Sequence, residues 1–297
     1  MTIQEKIKEA SQALSKQKIS LCQLEAEIII SFVLKIEREQ LIINNNLEIS
    51  KKHSQQINDL IKKRLTGEPI AYLVEEKYFY NLKFLVNKNT LIPRPESELI
   101  IEQVLQEIKN KNEQEEKRKK IIIDIGTGSG CLIISLAYNL KSNNIKYLGI
   151  DISPLALKVA KKNSQNYQLN KKINFISGNL LEPIIANIKK EKNLDIIILA
   201  NLPYLTKKEI KESASIKNEP YTALFGGVDG LKYYRKLLIQ TKRIKTSHNN
   251  ISIYQEISPW QKNLLKDLTK KKLGLYSPKI KTIKDLNKKD RLIITTI

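Results

Sequence analysis

A short segment after an apolar run carries the side chains best suited to chemistry. Asn201-Leu202-Pro203-Tyr204 follows the apolar run from Ile196 to Ala200. The Asn201 side-chain oxygen and the Leu202 backbone carbonyl can each accept one N–H. Tyr204 can stack on a flat group, and Pro203 stiffens the turn. These groups suit a planar amino or amide nitrogen, although Asn and Pro are also ordinary turn residues.

A glycine-rich turn lies upstream of this segment. The predicted strand 121–125 runs directly into Gly126-Thr127-Gly128-Ser129-Gly130, and a helical pattern follows. Glycines at such a turn let the backbone approach a ligand closely. A nicotinamide-binding turn would have glycine at its first, third and sixth positions, but the sixth position is Cys131. The spacing resembles the first motif of class I S-adenosylmethionine-dependent methyltransferases.

That resemblance implies S-adenosylmethionine as the cofactor and directs attention to the following strand ends. Asp151 ends the second predicted strand, where an acid can bind both ribose hydroxyls. Asn179 ends the third, where the family carries an acid on the adenine amino group; an Asn side chain can still accept that hydrogen bond, without charge. The expected cofactor-binding residues are Gly126, Thr127, Gly128, Ser129, Gly130, Asp151, Asn179, Leu180 and Asn201. The expected catalytic residues are Asn201, Leu202, Pro203 and Tyr204, and no metal ligand is expected.

The elements that must position these residues follow two patterns. Residues 1–75 show helical spacing, with Ser20 and Gln23 fitting a capping box, and are expected to form a substrate-recognition domain. Residues 76–92 are expected to form a β-hairpin or linker, and residues 93–297 the methyltransferase domain. Beyond a helix at 97–109 and a charged run through Lys120, strands alternate with helices. We expect an α/β, doubly wound, mainly parallel sheet of seven strands, the last two forming an antiparallel edge.

Several separate segments resemble one family. Gly67 to Leu73, Thr90 to Glu98, and Glu219 to Leu231 followed by Tyr234-Arg235 are similar to peptide chain release factor glutamine methyltransferases. The resemblance runs from about residue 20 to the C-terminus. It implies methylation of the glutamine amide in the Gly-Gly-Gln motif of class 1 release factors, with the helical domain gripping the factor. In the last segment, Gly226, Gly227 and Gly230 are expected to supply positive φ angles.

Alternatives remain open from the residues alone. Asn-Leu-Pro-Tyr also occurs in ribosomal RNA adenine dimethyltransferases, although such an enzyme is expected to carry its extra helices after the catalytic domain. A catalytically silent binding protein would be favoured by loss of Asn201 and of the cofactor acid, and both are present. Arg94 and Glu98 could shape the cofactor pocket or pair with each other.

The charge, the cysteines and histidines, and the apolar runs of the sequence indicate which kinds of protein it can be. The net charge of +21 is carried mostly by scattered lysines, which predicts a solvated basic surface and no stable nucleic-acid partner. The two cysteines lack partners at metal-ligand spacing, and His53 and His248 are expected at the surface without a role. No apolar run is long enough to span a membrane. A cytoplasmic monomer acting on a protein substrate is expected.

Overall fold

The computed structural model describes residues 1–17, 19–110, 118–142, 144–213 and 216–297. Most of the charged run that ends at Lys120 therefore lies outside the described residues. The chain divides into two compact units, Met1–Glu76 and Lys77–Ile297. In the described residues, no helix combines the length and apolarity needed to cross a membrane.

The first unit consists of helices. They are α1 (Ile3–Ser15), α2 (Cys22–Leu34), α3 (Arg38–Ile43), α4 (Lys51–Leu65) and α5 (Ile70–Leu73). Helix α1 begins with a capping box between Thr2 and Glu5. The capping box predicted for Ser20 and Gln23 is wrong, because α2 starts one residue later, with Leu21 as its N-cap and no capping side chain.

The core of this unit shows which face of each helix is buried. Ala10 and Leu14 of α1 are buried as their spacing predicts. In α2 the buried residues are Ala26, Ile29 and Ile30, whereas Phe32 is 41% exposed. Helix α2 is apolar around most of its circumference, so that periodicity alone does not identify its buried face.

A hairpin of β1 (Glu76–Phe79) and β2 (Leu82–Leu85) begins with the last residue of the first unit and otherwise belongs to the second. Tyr80 and Asn81 at the turn both have positive φ, as a tight two-residue hairpin turn requires. Phe79, Leu82 and Phe84 pack into the hydrophobic cluster on one face of the central sheet. Burial of these apolar side chains therefore attaches the hairpin to the central sheet.

The central sheet confirms the predicted architecture. Its strands are β3 (Lys119–Ile125), β4 (Ile145–Asp151), β5 (Ile173–Ser177), β6 (Leu194–Ala200), β7 (Asn249–Glu256), β8 (Lys279–Lys284) and β9 (Asp290–Thr296). They lie in the order β5-β4-β3-β6-β7-β9-β8. The first five run parallel, whereas β9 is antiparallel to both β7 and β8.

Helices cover both faces of the sheet. They are α6 (Glu98–Lys109), α7 (Cys131–Asn139), α8 (Pro154–Asn166), α9 (Ile185–Lys190), α10 (Lys207–Glu212), α11 (Tyr221–Leu224), α12 (Lys232–Ile244) and α13 (Lys262–Leu273). Along β3, Ile121, Ile123 and Ile125 enter one hydrophobic cluster and Ile122 enters the other. Burial on both faces explains the run of three isoleucines in the middle of the strand.

The order of the strands locates the site. From β3 the chain proceeds to β4 and β5 on one side, and then crosses to β6 and β7 on the other. Ligands bind at such a switch point, beyond the carboxyl ends of the strands. Because Ile125 pairs with Ala200 in register, the glycine turn and the Asn201 segment leave neighbouring strands side by side.

Candidate active site

The glycines of the turn are explained by their backbone angles and by the space around them. Gly126, Gly128 and Gly130 all have positive φ. A Cβ on Gly130 would lie 2.8 Å from Ile134 Cδ1, so glycine permits α7 to pack closely. A Cβ on Gly128 would meet only the Gly126 carbonyl oxygen, at 3.9 Å, which leaves room above the turn for a ligand.

Asp151 lies at the end of β4 beside this turn. Its Oδ2 accepts a hydrogen bond from the Gly128 N–H at 2.9 Å, and Oδ1 accepts one from the Ser153 N–H at 2.8 Å. Each carboxylate oxygen has a second lone pair, so the group retains the capacity to bind two hydroxyls. Burial raises the pKa of Asp151, while the backbone hydrogen bonds oppose that shift.

A second acid, which the sequence analysis did not assign, lies under the turn. Asp124 of β3 is 1% exposed, and its Oδ2 accepts a hydrogen bond from Thr127 Oγ1 at 2.6 Å. Burial raises the pKa of Asp124 to about 7, and the neighbouring Asp151 adds to the rise. A cationic ligand at this turn would favour the ionised form of both acids. The sequence does contain a signal for this residue, because Asp124 is an acid within an apolar strand and lies two residues before the first glycine of the turn.

The third strand end places Asn179 next to Asp151. The Gly178 N–H donates to the Asp151 backbone carbonyl at 3.0 Å, and the Asn179 side chain is exposed. Leu180 has a positive φ, which is rare for a branched residue. Gln240 of α12 secures this turn by accepting from the Leu181 N–H at 2.8 Å. The structure thus brings the ends of β3, β4 and β5 together, as the cofactor assignment requires.

The remaining turn residues have structural partners. The Thr127 hydroxyl is bound to Asp124, and Ser129 is buried with its carbonyl accepting a hydrogen bond from Asn163 Nδ2 at 2.8 Å. The Thr127 hydroxyl and the Ser129 carbonyl therefore support the shape of the turn.

The Asn201 segment is hydrogen-bonded to Ser97 and Glu256, two residues to which the sequence analysis assigned no role. Asn201 Nδ2 donates to Ser97 Oγ at 2.8 Å, and Ser97 Oγ donates to Glu256 Oε2 at 2.6 Å. The Tyr204 hydroxyl donates to Glu256 Oε1 at 3.0 Å. Asn201 and Tyr204, at the two ends of the motif, are thus connected through one buried carboxylate. Within the motif, Leu202 is buried and Pro203 partly buried.

The loop at residues 219–231 packs directly against this segment. The Gly226 N–H donates to the Leu205 carbonyl at 2.8 Å, and Gln261 Nε2 donates to the Tyr204 carbonyl at 2.8 Å. Gly227 and Gly230 have the predicted positive φ, but the prediction is wrong for Gly226. Gly226 is required by crowding, because a Cβ there would lie 2.5 Å from the Pro203 carbonyl oxygen.

Arg94 and Glu98 have different partners. Arg94 forms an ion pair with Glu219, whose Oε2 also accepts from the Ile92 N–H at 3.1 Å. Glu98 accepts a hydrogen bond from the Tyr80 N–H at 2.8 Å. The suggestion that Arg94 and Glu98 pair with each other is therefore wrong. Arg94 anchors the 219–231 loop, and Glu98 anchors the hairpin turn.

Neither histidine takes part in the hydrogen bonds described above. His248 is exposed and precedes β7, at the opposite end of that strand from Glu256. His53 belongs to the first unit and is partly buried. Across the described ranges, no group of three or more His, Cys, Asp or Glu residues could hold a metal ion.

Comparison with known proteins identifies the family. Residues 5–74 match the PrmC N-terminal domain, and residues 116–264 match a methyltransferase domain. The release factor glutamine methyltransferase of Borreliella burgdorferi is 38% identical over 93% of this chain and 89% of its own length. The enzyme of the same name from Thermodesulfovibrio yellowstonii is 37% identical over 91% of each chain. The chain belongs to the release factor glutamine methyltransferase family.

Solved structures agree with the fold of this family of methyltransferases. The human methyltransferase 10 domain containing protein matches with a TM-score of 0.52 and 17% identity over 73% of this chain and 88% of that one. The N-terminal domain of human METTL16 in complex with SAH matches with a TM-score of 0.52 and 16% identity over 90% and 93%. At these identities the likeness establishes the class I methyltransferase fold alone.

Proposed function

We propose that the protein transfers a methyl group from S-adenosylmethionine to the side-chain amide nitrogen of a glutamine. The glutamine is that of the Gly-Gly-Gln motif in class 1 peptide chain release factors. The observation that carries the proposal is the orientation of Asn201 in a chain of this family. Because Nδ2 is bound to Ser97, the atom left for a target N–H is the acceptor Oδ1.

The cofactor assignment depends on the fit of the strand ends. The turn from Gly126 to Gly130, the Asp151 carboxylate, and the Asn179 to Leu180 turn would hold S-adenosylmethionine. It would supply a methyl group on a positively charged sulfur. Burial disfavours ionisation of Asp124 and Asp151, and a positively charged ligand beside them would offset that effect.

The chain's own groups account for activation of the amide. An amide nitrogen is a poor nucleophile because its lone pair is delocalised into the carbonyl. Asn201 Oδ1 and the Leu202 carbonyl can accept its two N–H groups, which raises electron density on the nitrogen and orients it. Tyr204 can cover the planar amide. Placement of a reactant by fixed groups can lower a barrier by about 7 to 11 kcal/mol, so positioning supplies most of the catalysis.

A transfer assay tests the proposal. The purified chain is incubated with methyl-labelled S-adenosylmethionine and, in parallel, with a class 1 release factor, its Gln→Ala variant at the Gly-Gly-Gln motif, and ribosomal RNA. We expect label on the intact factor and none on the variant. Label on RNA alone would replace the glutamine substrate with an adenine.

We further propose that the helical unit contacts the factor. Ile42 and Ile43 of α3 are 75% and 78% exposed, and Leu47 just beyond is 59% exposed. Contiguous exposed apolar side chains are typical of protein contact surfaces. Ile42→Glu combined with Ile43→Glu should raise KM for the full-length factor without changing kcat, because the altered surface belongs to the unit that lacks the Asn201 segment. An unchanged KM would remove this surface from recognition.

A further inference from the structure

One buried carboxylate connects the groups that present the target amide. Glu256 ends β7 and is 2% exposed. It accepts hydrogen bonds from Ser97 Oγ and from the Tyr204 hydroxyl. Burial raises the pKa of Tyr204, and the adjacent Glu256 adds to the rise, so the tyrosine keeps its proton and donates it. The Glu256 carboxylate thus accepts two hydrogen bonds from hydroxyl groups.

The direction of these hydrogen bonds determines the orientation of Asn201. A carboxylate can only accept, and a serine hydroxyl carries one hydrogen. Ser97 donates that hydrogen to Glu256, so that only lone pairs of its Oγ face Asn201. Asn201 must therefore present Nδ2 to Ser97, and Oδ1 occupies the opposite side of the carboxamide. The reversed carboxamide would place an N–H group against the N–H of the target.

We infer that Glu256 is a positioning residue, which acts through Ser97 to fix the Asn201 carboxamide with Oδ1 toward the target. The inference rests on the proposed function, because it assigns Oδ1 as the acceptor for the amide N–H. Glu256 makes no contact with the reacting atoms in this scheme. Its contribution is to exclude the inactive orientation of Asn201.

The surroundings of Glu256 make this contribution dependent on pH. The charged and titratable groups around it come from several elements and are Glu96, Cys131, Tyr204, Tyr234 and Arg291. Burial raises the pKa of Glu256, while its hydrogen bonds and Arg291 oppose the rise. Once protonated, Glu256 can donate to Ser97, whose hydrogen is then free to bind Asn201 Oδ1. We therefore expect kcat to fall as the pH is lowered through the raised pKa.

Glu256→Gln tests the inference with little change in side-chain volume. Glutamine can accept from Ser97 or donate to it, so both orientations of Asn201 become accessible. We expect kcat on the full-length factor to fall about tenfold to a hundredfold, short of the 10²- to 10³-fold loss typical when a preorganised group is removed outright. The affinity for S-adenosylmethionine should stay within about twofold of wild type, and the decline of kcat at low pH should disappear.

Glu107 offers a matched control. It also accepts hydrogen bonds from a serine and a tyrosine, Ser252 and Tyr254. It lies ten residues beyond Ser97 along α6, about 15 Å away at 1.5 Å per residue. Glu107→Gln alters the same kind of carboxylate without reaching Asn201, and should leave kcat within about twofold of wild type.

A double-mutant cycle separates positioning from general destabilisation. Ser97→Ala and Glu256→Gln interrupt the same connection, so the double variant should be no slower than the slower single variant, within about twofold. Ser135→Ala removes another buried hydroxyl, one without a hydrogen-bond partner among the described residues, and controls for loss of volume. If Glu256→Gln does not fold, Ser97→Ala compared with Ser135→Ala carries the test.

The outcomes are distinct. A Glu256→Gln enzyme with wild-type kcat, an unchanged decline at low pH, or multiplying losses in the cycle would overturn the inference while leaving the proposed function intact. A wild-type chain that methylates no release factor would overturn the proposed function, and the inference with it.

Discussion

Gly226→Ala should lower turnover through a small displacement of the catalytic turn. The added Cβ would lie 2.5 Å from the Pro203 carbonyl oxygen and 2.6 Å from Tyr204 Cα. Ordinary van der Waals contact begins near 3.4 Å, so that the shortfall is 3.4 − 2.5 = 0.9 Å. Both neighbours are backbone atoms, which cannot rotate away as a side chain can. Some of the shortfall must appear as movement of the Pro203 to Tyr204 backbone.

The expected loss follows from the sensitivity of catalysis to position. A misplacement of about 1 Å can cost roughly a hundredfold in rate, so we expect kcat to fall by one to two orders of magnitude. The affinity for S-adenosylmethionine should change little, because Gly126 to Gly130, Asp151 and Asn179 are untouched. Single-turnover transfer to a release factor measures the loss, and calorimetric titration measures cofactor binding.

Gly274→Ala is the control for this experiment. A Cβ at Gly274 would meet nothing within 4 Å, and its backbone is right-handed helical. The substitution should leave kcat unchanged and can raise stability by up to about 1 kcal/mol. If Gly226→Ala retained wild-type kcat, the turn would not be the rate-determining geometry, and the argument from crowding would be refuted.

Three further predictions test other parts of the site. Asn201→Ala should lower kcat by at least about a hundredfold while cofactor binding persists; unchanged turnover would remove Asn201 from the mechanism. Arg94→Ala leaves the buried Glu219 charge without its cation, and should cost about 3 kcal/mol in the free energy of unfolding. Adding Glu219→Gln should recover most of that loss, and urea titration that shows no recovery would contradict it. Asp124 has a pKa raised from 3.8 to about 7, so the folded state binds its proton more tightly and stability should fall as pH rises from about 4 to 7. Relative to Asp124→Asn, the decline should be roughly 4 kcal/mol, from 7 − 3.8 = 3.2 pH units at 1.36 kcal/mol each; parallel stability curves for the two proteins would contradict it.

Elements with strong local patterns were predictable from the sequence. The central strands were predictable because short apolar runs alternate with helical segments along this part of the chain. Helix α2 shows the limit of such patterns. Its sequence is apolar on nearly every side, and only packing against α1 and α4 selects Ala26, Ile29 and Ile30 for burial. Periodicity determines a buried face only where a polar face opposes it.

The candidate site divides in the same way. Gly126 to Gly130 and Asn201 to Tyr204 are contiguous motifs, and the structure places both at the switch point. Ser97 lies 104 residues from Asn201 and 159 from Glu256 in sequence, so no local pattern could connect them. Arg94 and Glu219, separated by 125 residues, are a similar case. Proximity in the chain suggested that Arg94 could pair with Glu98, and the fold provided another partner.

The missing information was the order of the strands. Parallel strands β6 and β7 pair with Ala200 opposite Gln255, so Asn201, the first residue after β6, lies level with Glu256, the last residue of β7. The same geometry places Gly126 beside Asn201 through β3 and Asp151 beside Gly126 through β4. The acids and motif residues assigned to the site, Ser97 and the 219–231 loop apart, therefore lie at a strand end or within a few residues of one. Given the order of the sheet, Glu256 would have been a candidate from its position alone, because a buried acid at a strand end next to the target turn has no solvent to accept from. Among the described residues, the Glu256 carboxylate accepts hydrogen bonds from Ser97 and Tyr204.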